Sequence, residues 1–176
     1  MERENDAVDA LVEAWSAAQP GLDARHLHVL GRISRIEAAF RRRVDGLLAP
    51  LGLSWDMFDL MATLWRAPGH AMRPGELSRW CLLSSGAMTK RIDRVVAAGL
   101  VRREPDPGDR RAQLIRLTEA GEALAERAVP LHFGGAREAL GILSEREERN
   151  FIVAARKLLL SLEAPETVKD VLQSAG

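Results

Sequence analysis

Arginine is the reactive residue type that this sequence concentrates most. Ten basic residues, Arg73, Arg79, Lys90, Arg91, Arg94, Arg102, Arg103, Arg110, Arg111 and Arg116, fall between Arg73 and Leu117, against five acids, Glu76, Asp93, Glu104, Asp106 and Asp109. The whole chain has a formal net charge of zero, so this segment carries an excess of five positive charges and the remainder an equal negative excess. Guanidinium and ammonium groups gathered in this way bind anions. A neutral protein with a basic middle third has the electrostatic footprint of a nucleic-acid reader whose remaining surface stays acidic. The alternative is a solvated face with no partner. Other chemistry is poorly served. The histidines His26, His28, His70 and His132 are scattered, none forms a His-Glu-x-x-His pattern, and His26 and His28, two apart, fall on different faces of a helix. No glycine loop suited to cradling phosphate and no Gly-x-Ser-x-Gly pattern occurs. Cys81 is the only cysteine, which excludes an intramolecular disulfide and a thiolate zinc site and suits a reducing compartment. No enzymatic activity, metal or cofactor is expected.

The elements that must position these residues are mostly helical. With 47% apolar and 28% charged residues in a 176-residue chain, the composition is that of a folded domain, or of one domain with a dimerisation appendage. No apolar run approaches the roughly 20 residues that span a bilayer, and Met1-Glu2-Arg3-Glu4-Asn5-Asp6 lacks the features of an export signal, so a cytoplasmic protein with no membrane partner is expected. Apolar spacing predicts a short helix over about residues 6–18 carrying Trp15, then a longer one over about 23–49 with Leu27, Leu30, Ile33, Ile36, Phe40, Val44 and Leu47 inward. Ser54 caps a third, and Pro74 opens a short one ending near Trp80, with Leu77 and Trp80 apolar on one side. Ser84 or Ser85 caps the next, with Met88, Ile92, Val95 and Val96 inward and Gly99 at its end. Two short strands around Pro105-Asp106-Pro107-Gly108-Asp109 read as a β-hairpin. Thr118 caps a helix expected to bend near Pro130 and to break at Gly134-Gly135, and Ser144-Glu145-Arg146-Glu147 opens a last one carrying Phe151, Ile152, Leu158, Leu159 and Leu162.

Two helices joined by a tight turn and followed by a hairpin make a winged helix-turn-helix candidate. A DNA-reading helix must bury one face while offering small polar and basic side chains to base edges and phosphates. The helix after Ser84 divides in this way, leaving Ser84, Ser85, Gly86, Thr89, Lys90 and Arg94 outward. An ordinary amphipathic surface helix divides likewise. The hairpin adds Asp109-Arg110-Arg111 at its tip, where an arginine can enter the narrow minor groove and Asp109 is expected to fix an arginine by a charge-assisted hydrogen bond.

The runs Arg73-Pro74-Gly75-Glu76-Leu77, Ser85-Gly86-Ala87-Met88-Thr89-Lys90-Arg91-Ile92-Asp93-Arg94, Gly99-Leu100-Val101-Arg102-Arg103, Asp109-Arg110-Arg111 and Arg116-Leu117-Thr118-Glu119-Ala120-Gly121 together resemble the MarR family of bacterial regulators in order and spacing. The resemblance implies a mainly α fold with a small β-hairpin wing. It also implies an extra amino-terminal helix over residues 1–22, dimerisation helices over 23–52 and 119–165, a DNA-binding region over 53–118 and a tail over 166–176. The function implied is a homodimeric repressor on a pseudo-palindromic double-stranded DNA operator, released by a small ligand, with recognition helices about 34 Å apart.

The extra helix with Trp15 is similar to that of the urate-responsive branch of the family. Such a branch implies a ligand pocket of Trp15, Asp59 and Arg91. An anionic planar purine would stack on the indole and take hydrogen bonds from the guanidinium, in competition with Asp59. A phenolic acid is the neighbouring possibility. Each residue also has a plainer role, Trp15 as a docking side chain and Asp59–Arg91 as a structural ion pair. Cys81 raises an oxidant sensor, but beside Trp80, Leu82 and Leu83 it reads as a buried structural thiol. From another class, a protein-interaction module would bury the end helices without needing Lys90, Arg110 or Arg111.

Overall fold

The computed structural model describes residues 5–163, all but the side chain of Arg110, so the tail expected over 166–176 lies outside the described residues. The chain divides into two compact units, Met1–Ala136 and Arg137–Gly176. The first opens with α1 (Ala7–Ala18), whose N-terminus is held by a reciprocal capping box between Asp6 and Asp9. This helix packs on α2 (Leu27–Leu48). Val8 is buried against Gly31, where a Cβ would come within 3.3 Å of a Val8 methyl group. The Arg32 guanidinium adds a fork, donating to Asp6 at 2.8 Å and to Asp9 at 2.7 Å.

The α2 helix begins four residues later than the apolar spacing suggests. The Asp23 carboxylate accepts from the backbone N–H of Arg25 at 3.0 Å and from its guanidinium at 2.7 Å, a local turn that competes with helix. The predicted inward stripe of α2 also splits. Val44 enters the core, Leu48 takes the buried place expected of Leu47, and Leu30, Ile33 and Ile36 stay exposed.

Behind α2 come α3 (Trp55–Trp65), capped by Ser54, then α4 (Pro74–Trp80) and α5 (Ser85–Ala97). The core is built where these meet, from Phe58, Leu60, Met61 and Leu64 of α3, Leu77 of α4, and Met88, Ile92 and Val95 of α5. Trp80, expected on the apolar side with Leu77, instead points outward, 62% exposed. At seven residues α4 buries only Leu77, and Trp80 is its last residue, beyond the part of the helix that packs on the core.

A three-stranded antiparallel sheet in the order β1-β3-β2 follows, with β1 (Ala71–Met72), β2 (Val101–Asp106) and β3 (Asp109–Leu117). Val101 pairs with Leu117, and Ala71 with Arg116. The two residues of β1 carry no legible period, and it was not expected from the sequence. The hairpin strands run further than expected because Asp106 accepts from the N–H of Gly108 at 2.8 Å and tightens the turn to Pro107-Gly108.

Thr118 joins the sheet to α6 (Glu119–Leu140), its hydroxyl donating to the Gly99 carbonyl at 2.8 Å and accepting from the N–H of Gly121 at 3.1 Å. A Cβ on Gly121 would overlap the carbonyl oxygen of Leu100, so only glycine admits this approach. The helix α6 continues through Pro130 and past Gly134-Gly135, where a break was expected. Gly135 serves contact instead, since a Cβ there would collide with Leu47. The second unit contains α7 (Glu145–Glu163), opened by the Ser144/Glu147 box as expected. Its apolar residues Phe151, Ile152, Leu159 and Leu162 are exposed, so none of the expected stripe is buried within one chain. Among the described residues no single helix is long and apolar enough to cross a membrane.

Candidate nucleic-acid interface

The Ser84 hydroxyl accepts from the N–H of Ala87 and fixes the start of α5, settling the cap that the sequence left open between Ser84 and Ser85. From that start the helix separates its residues cleanly. Met88, Arg91, Ile92 and Val95 are buried, while Ser84, Ser85, Gly86, Thr89, Lys90 and Arg94 are exposed. The Thr89 hydroxyl donates back to the Ser85 carbonyl at 3.0 Å.

The surprise among these is the burial of an arginine. Only 8% of Arg91 is exposed, and two carboxylates from one face of α3 grip it, Asp59 at 2.6 Å and Asp56 at 2.7 Å. The first pair was expected. The second was missed, although positions 56 and 59 stand three apart and share a helix face. Arg41 of α2 also approaches Asp56, at 3.7 Å. One guanidinium facing two carboxylates leaves the clamp one negative charge in excess before Arg41 is considered.

Further arginines brace the wing. Arg73, just before α4, pairs with Asp106 at 2.6 Å, and Arg103 pairs with Asp93 of α5 at 2.7 Å. Arg116 and Arg102 both reach Glu104, at 2.6 and 3.3 Å. The N–H of Gly108, then Arg73, hold the Asp106 carboxyl below the usual carboxylate range, and Arg116 does the same for Glu104. These pairs tie the base of the hairpin to the helix-turn-helix. They also sort the basic segment: Arg79, Lys90, Arg94 and Arg111 have no carboxylate partner among the described residues.

Two expectations for the wing need correction. Among the described side chains Asp109 holds no guanidinium; it accepts from the backbone N–H of Arg111 at 3.0 Å, and the turn acid that holds a described arginine is Asp106. Asp109, Arg110 and Arg111 also lie at the start of β3 rather than in a loop, with the Arg111 side chain exposed. The Arg110 side chain lies outside what is described.

The three residues of the expected ligand pocket are only partly assembled. Asp59 and Arg91 are in contact, but Trp15 sits on α1, 46% exposed, with no ring or cation–π contact among the described residues. Close to the clamp, unanticipated by the sequence, is His132 of α6. Its ring packs among Phe58, Trp55 and Phe40 at centroid distances of 5.0, 5.6 and 5.7 Å, and its Nδ1 is buried without a hydrogen-bond partner. Burial pushes its pKa down, opposed in part by the Asp59 carboxylate. A histidine in an apolar stripe gives no signal of this kind in a sequence. The Cys81 thiol is half-buried, 3.9 Å from the Thr63 hydroxyl, and burial followed by the charge of Asp59 pushes it up to about 11. Burial and Asp59 thus favour the protonated form of the thiol, which is half-buried rather than buried as expected, since its neighbours Trp80 and Leu82 are exposed.

A helix-turn-helix braced to a β-hairpin through ion pairs defines a winged helix-turn-helix protein. A model of the MarR family matches residues 51–112. The HTH-type transcriptional regulator PecS of Dickeya dadantii is 36% identical over 143 residues, covering 80% of this chain and 86% of that protein. The multiple antibiotic resistance protein MarR of Escherichia coli is 32% identical over 99 residues, 56% of this chain and 67% of that one. A solved structure of a mutant MarR from E. coli complexed with operator DNA superposes with a TM-score of 0.69 at 28% identity, covering 78% of this chain and 99% of that one. AbsC from Streptomyces coelicolor, a MarR family transcriptional regulator, shares the fold with a TM-score of 0.73 at 22% identity, over 82% of this chain and 98% of that one. The chain belongs to the MarR family of transcriptional regulators.

Proposed function

We propose that the protein is a cytoplasmic homodimeric repressor that binds a pseudo-palindromic DNA operator and is released by a small aromatic anion. The observation that carries this reading is the sorting of the basic residues. Arginines at the base of the wing are held by carboxylates, whereas Lys90 and Arg94 on the open face of α5 and Arg111 on the wing are exposed and have no carboxylate partner among the described residues. Ser84, Ser85, Gly86, Thr89, Lys90 and Arg94 would meet the major groove, and Arg110 and Arg111 the neighbouring minor groove, with Asp109 holding the Arg111 backbone. The E. coli MarR complex with operator DNA is a precedent within the same family.

A second copy of the chain would cover the exposed apolar residues of α2 and α7, Leu30, Ile33 and Ile36 on one and Phe151, Ile152 and Leu159 on the other. Residues 23–52 and 119–165 would form the dimerisation region, residues 53–118 the reading region and residues 1–22 an accessory helix. Two recognition helices about 34 Å apart would then read half-sites one helical turn apart.

For release, the cation open to an anion would be Arg91, provided the anion displaces a carboxylate that now holds it. A planar anion such as urate, or a phenolic acid, would take hydrogen bonds from the guanidinium in place of Asp59, with Trp15 supplying a stacking face. Arg91 lies on the helix that also carries Lys90 and Arg94, so a change of partner at Arg91 would shift that helix, which is the differential interaction that ligand-driven release requires. The protonated Cys81 thiol disfavours the oxidant-sensing alternative.

Gel-shift titration against duplex DNA at several salt concentrations tests the first half. Neutralised phosphates give a steep fall of affinity with salt, whereas a flat response would fit a protein-interaction module and refute DNA binding. A thermal-shift screen of urate, xanthine, salicylate and peroxide tests the second. An anion that binds only the folded protein raises the melting temperature, and no response to any of the anions would remove the ligand site.

A further inference from the structure

The carboxylate of Asp56 stands between two guanidinium groups, and both meet it at one oxygen. Arg91 of α5 donates to Asp56 Oδ1 through Nη2 at 2.7 Å, and Nη1 of Arg41 on α2 approaches the same Oδ1 at 3.7 Å. The nearer contact is a hydrogen bond and the farther one is not. Arg41 is otherwise held in place. Its Nε and Nη2 donate to Glu37 Oε1, one helical turn back, at 2.9 and 2.7 Å, and its guanidinium lies over the Trp55 ring at 5.7 Å from the centroid. Glu37 thus fixes one edge of the guanidinium and leaves Nη1 toward Asp56. The Asp56 and Arg41 side chains are both nearly half exposed, so they can shift, whereas Arg91 is buried.

We infer that Arg41 takes over Asp56 when an anion occupies Arg91, so that ligand binding at α5 is passed to α2 as a tightened ion pair. The inference rests on the reading of Arg91 as the cation that meets the ligand. Charge balance calls for such an acceptor. Arg91 already faces Asp56 and Asp59, and a bound anion brings a third negative charge to one guanidinium. With the anion in place of Asp59, Asp56 remains as a like charge on the neighbouring nitrogen of the same guanidinium, and like charges at that distance repel. A shift of Oδ1 by the difference between its two distances exchanges the Arg91 bond for an Arg41 bond. The exchange loosens α5 from α3 and ties α3 to α2, the helix whose exposed Leu30, Ile33 and Ile36 are the proposed contact with a second copy. Arg41 is in this sense a positioning residue, touching neither ligand nor DNA and acting through Asp56.

The test is calorimetric titration of the DNA-free protein with urate and with salicylate, beside anion-driven release of a labelled duplex that the protein itself enriches from a random pool. Arg41→Met should hold the duplex as the parent does, yet bind the anion about twofold to fivefold more weakly, the range for a half-exposed ion pair, and need correspondingly more of it to release DNA. Arg41→Lys, which keeps the charge, should recover most of the parental affinity for the anion. In an Asp56→Asn protein, Arg41→Met should have no further effect, because no carboxylate is left to exchange. Parental anion binding by Arg41→Met, with Arg91→Met unable to bind, would overturn the exchange and leave the ligand site standing. An equal loss on replacing Arg41 with Asp56 present or absent would mean that Arg41 acts on the anion directly, and would overturn the exchange as well. A parent protein that binds neither anion, or an Arg91→Met protein that binds as the parent does, would overturn the ligand reading and the exchange together.

Discussion

Replacing Arg91 by methionine keeps most of the side chain's volume and removes its charge, which leaves Asp56 and Asp59 facing each other without their shared cation. The guanidinium contacts the two carboxylates at 2.7 and 2.6 Å. At an effective dielectric of about 20, unit charges about 4 Å apart interact by about 4 kcal/mol, and two such contacts set the upper bound. The carboxylate side chains are 42% and 25% exposed, so water screens them, and the penalty for burying the guanidinium offsets much of the rest. A net loss of about 2–3 kcal/mol follows, a fall of about 4–12 °C in melting temperature for a chain of this size. Urea unfolding followed by circular dichroism, at one protomer concentration throughout, measures it. A double-mutant cycle with Asp59→Asn should return a coupling of about 1–2 kcal/mol. Additive changes, with a coupling within about 0.3 kcal/mol of zero, would refute the clamp.

Three further outcomes are expected. Gly121→Ala should destabilise the protein by about 3 kcal/mol or more, read as a lower urea midpoint, because its Cβ meets the rigid Leu100 carbonyl rather than a side chain that can move. His132 has its pKa lowered in the folded state, so the unfolded chain binds more protons, and the stability held at neutral pH is lost as pH falls through the ordinary histidine value of 6.5 toward the depressed one. His132→Leu should flatten the urea midpoint between about pH 7.5 and 5.5; an unchanged pH profile would exclude His132 as its source. Asp106→Ala frees both Arg73 and the turn at Gly108, so it should weaken DNA binding more than it lowers the melting temperature; the reverse order would mean that the pair serves the fold alone.

Much of this architecture is written in local signals. The Ser54, Ser84 and Thr118 caps, the period of Met88, Ile92 and Val95, and the turn chemistry around Pro107-Gly108 each act over a few residues and appear where the sequence puts them. What the sequence hides is pairing at a distance. Asp106 and Asp109 look alike in a row of turn residues, and only the approach of Arg73, 33 positions earlier, decides which of them holds a guanidinium. Arg91 shows the same limit, since its spacing on α5 puts it with Ile92 and Val95 but the carboxylates that let a cation be buried come from α3. The apolar stripe of α7 is legible as a stripe, but nothing in its period says whether its partner is this chain or another.

Hydroxyl-radical footprinting of an enriched duplex, with the parent protein and Arg111→Ala side by side, asks most directly whether α5 and the wing hold DNA together. The arrangement of Lys90, Arg94 and Arg111 leads us to expect two protected half-sites about 10 base pairs apart, flanked by minor-groove protection that Arg111→Ala alone erases. A footprint with no two-fold pattern, or flanks unchanged by the loss of Arg111, would contradict a two-point grip by recognition helix and wing.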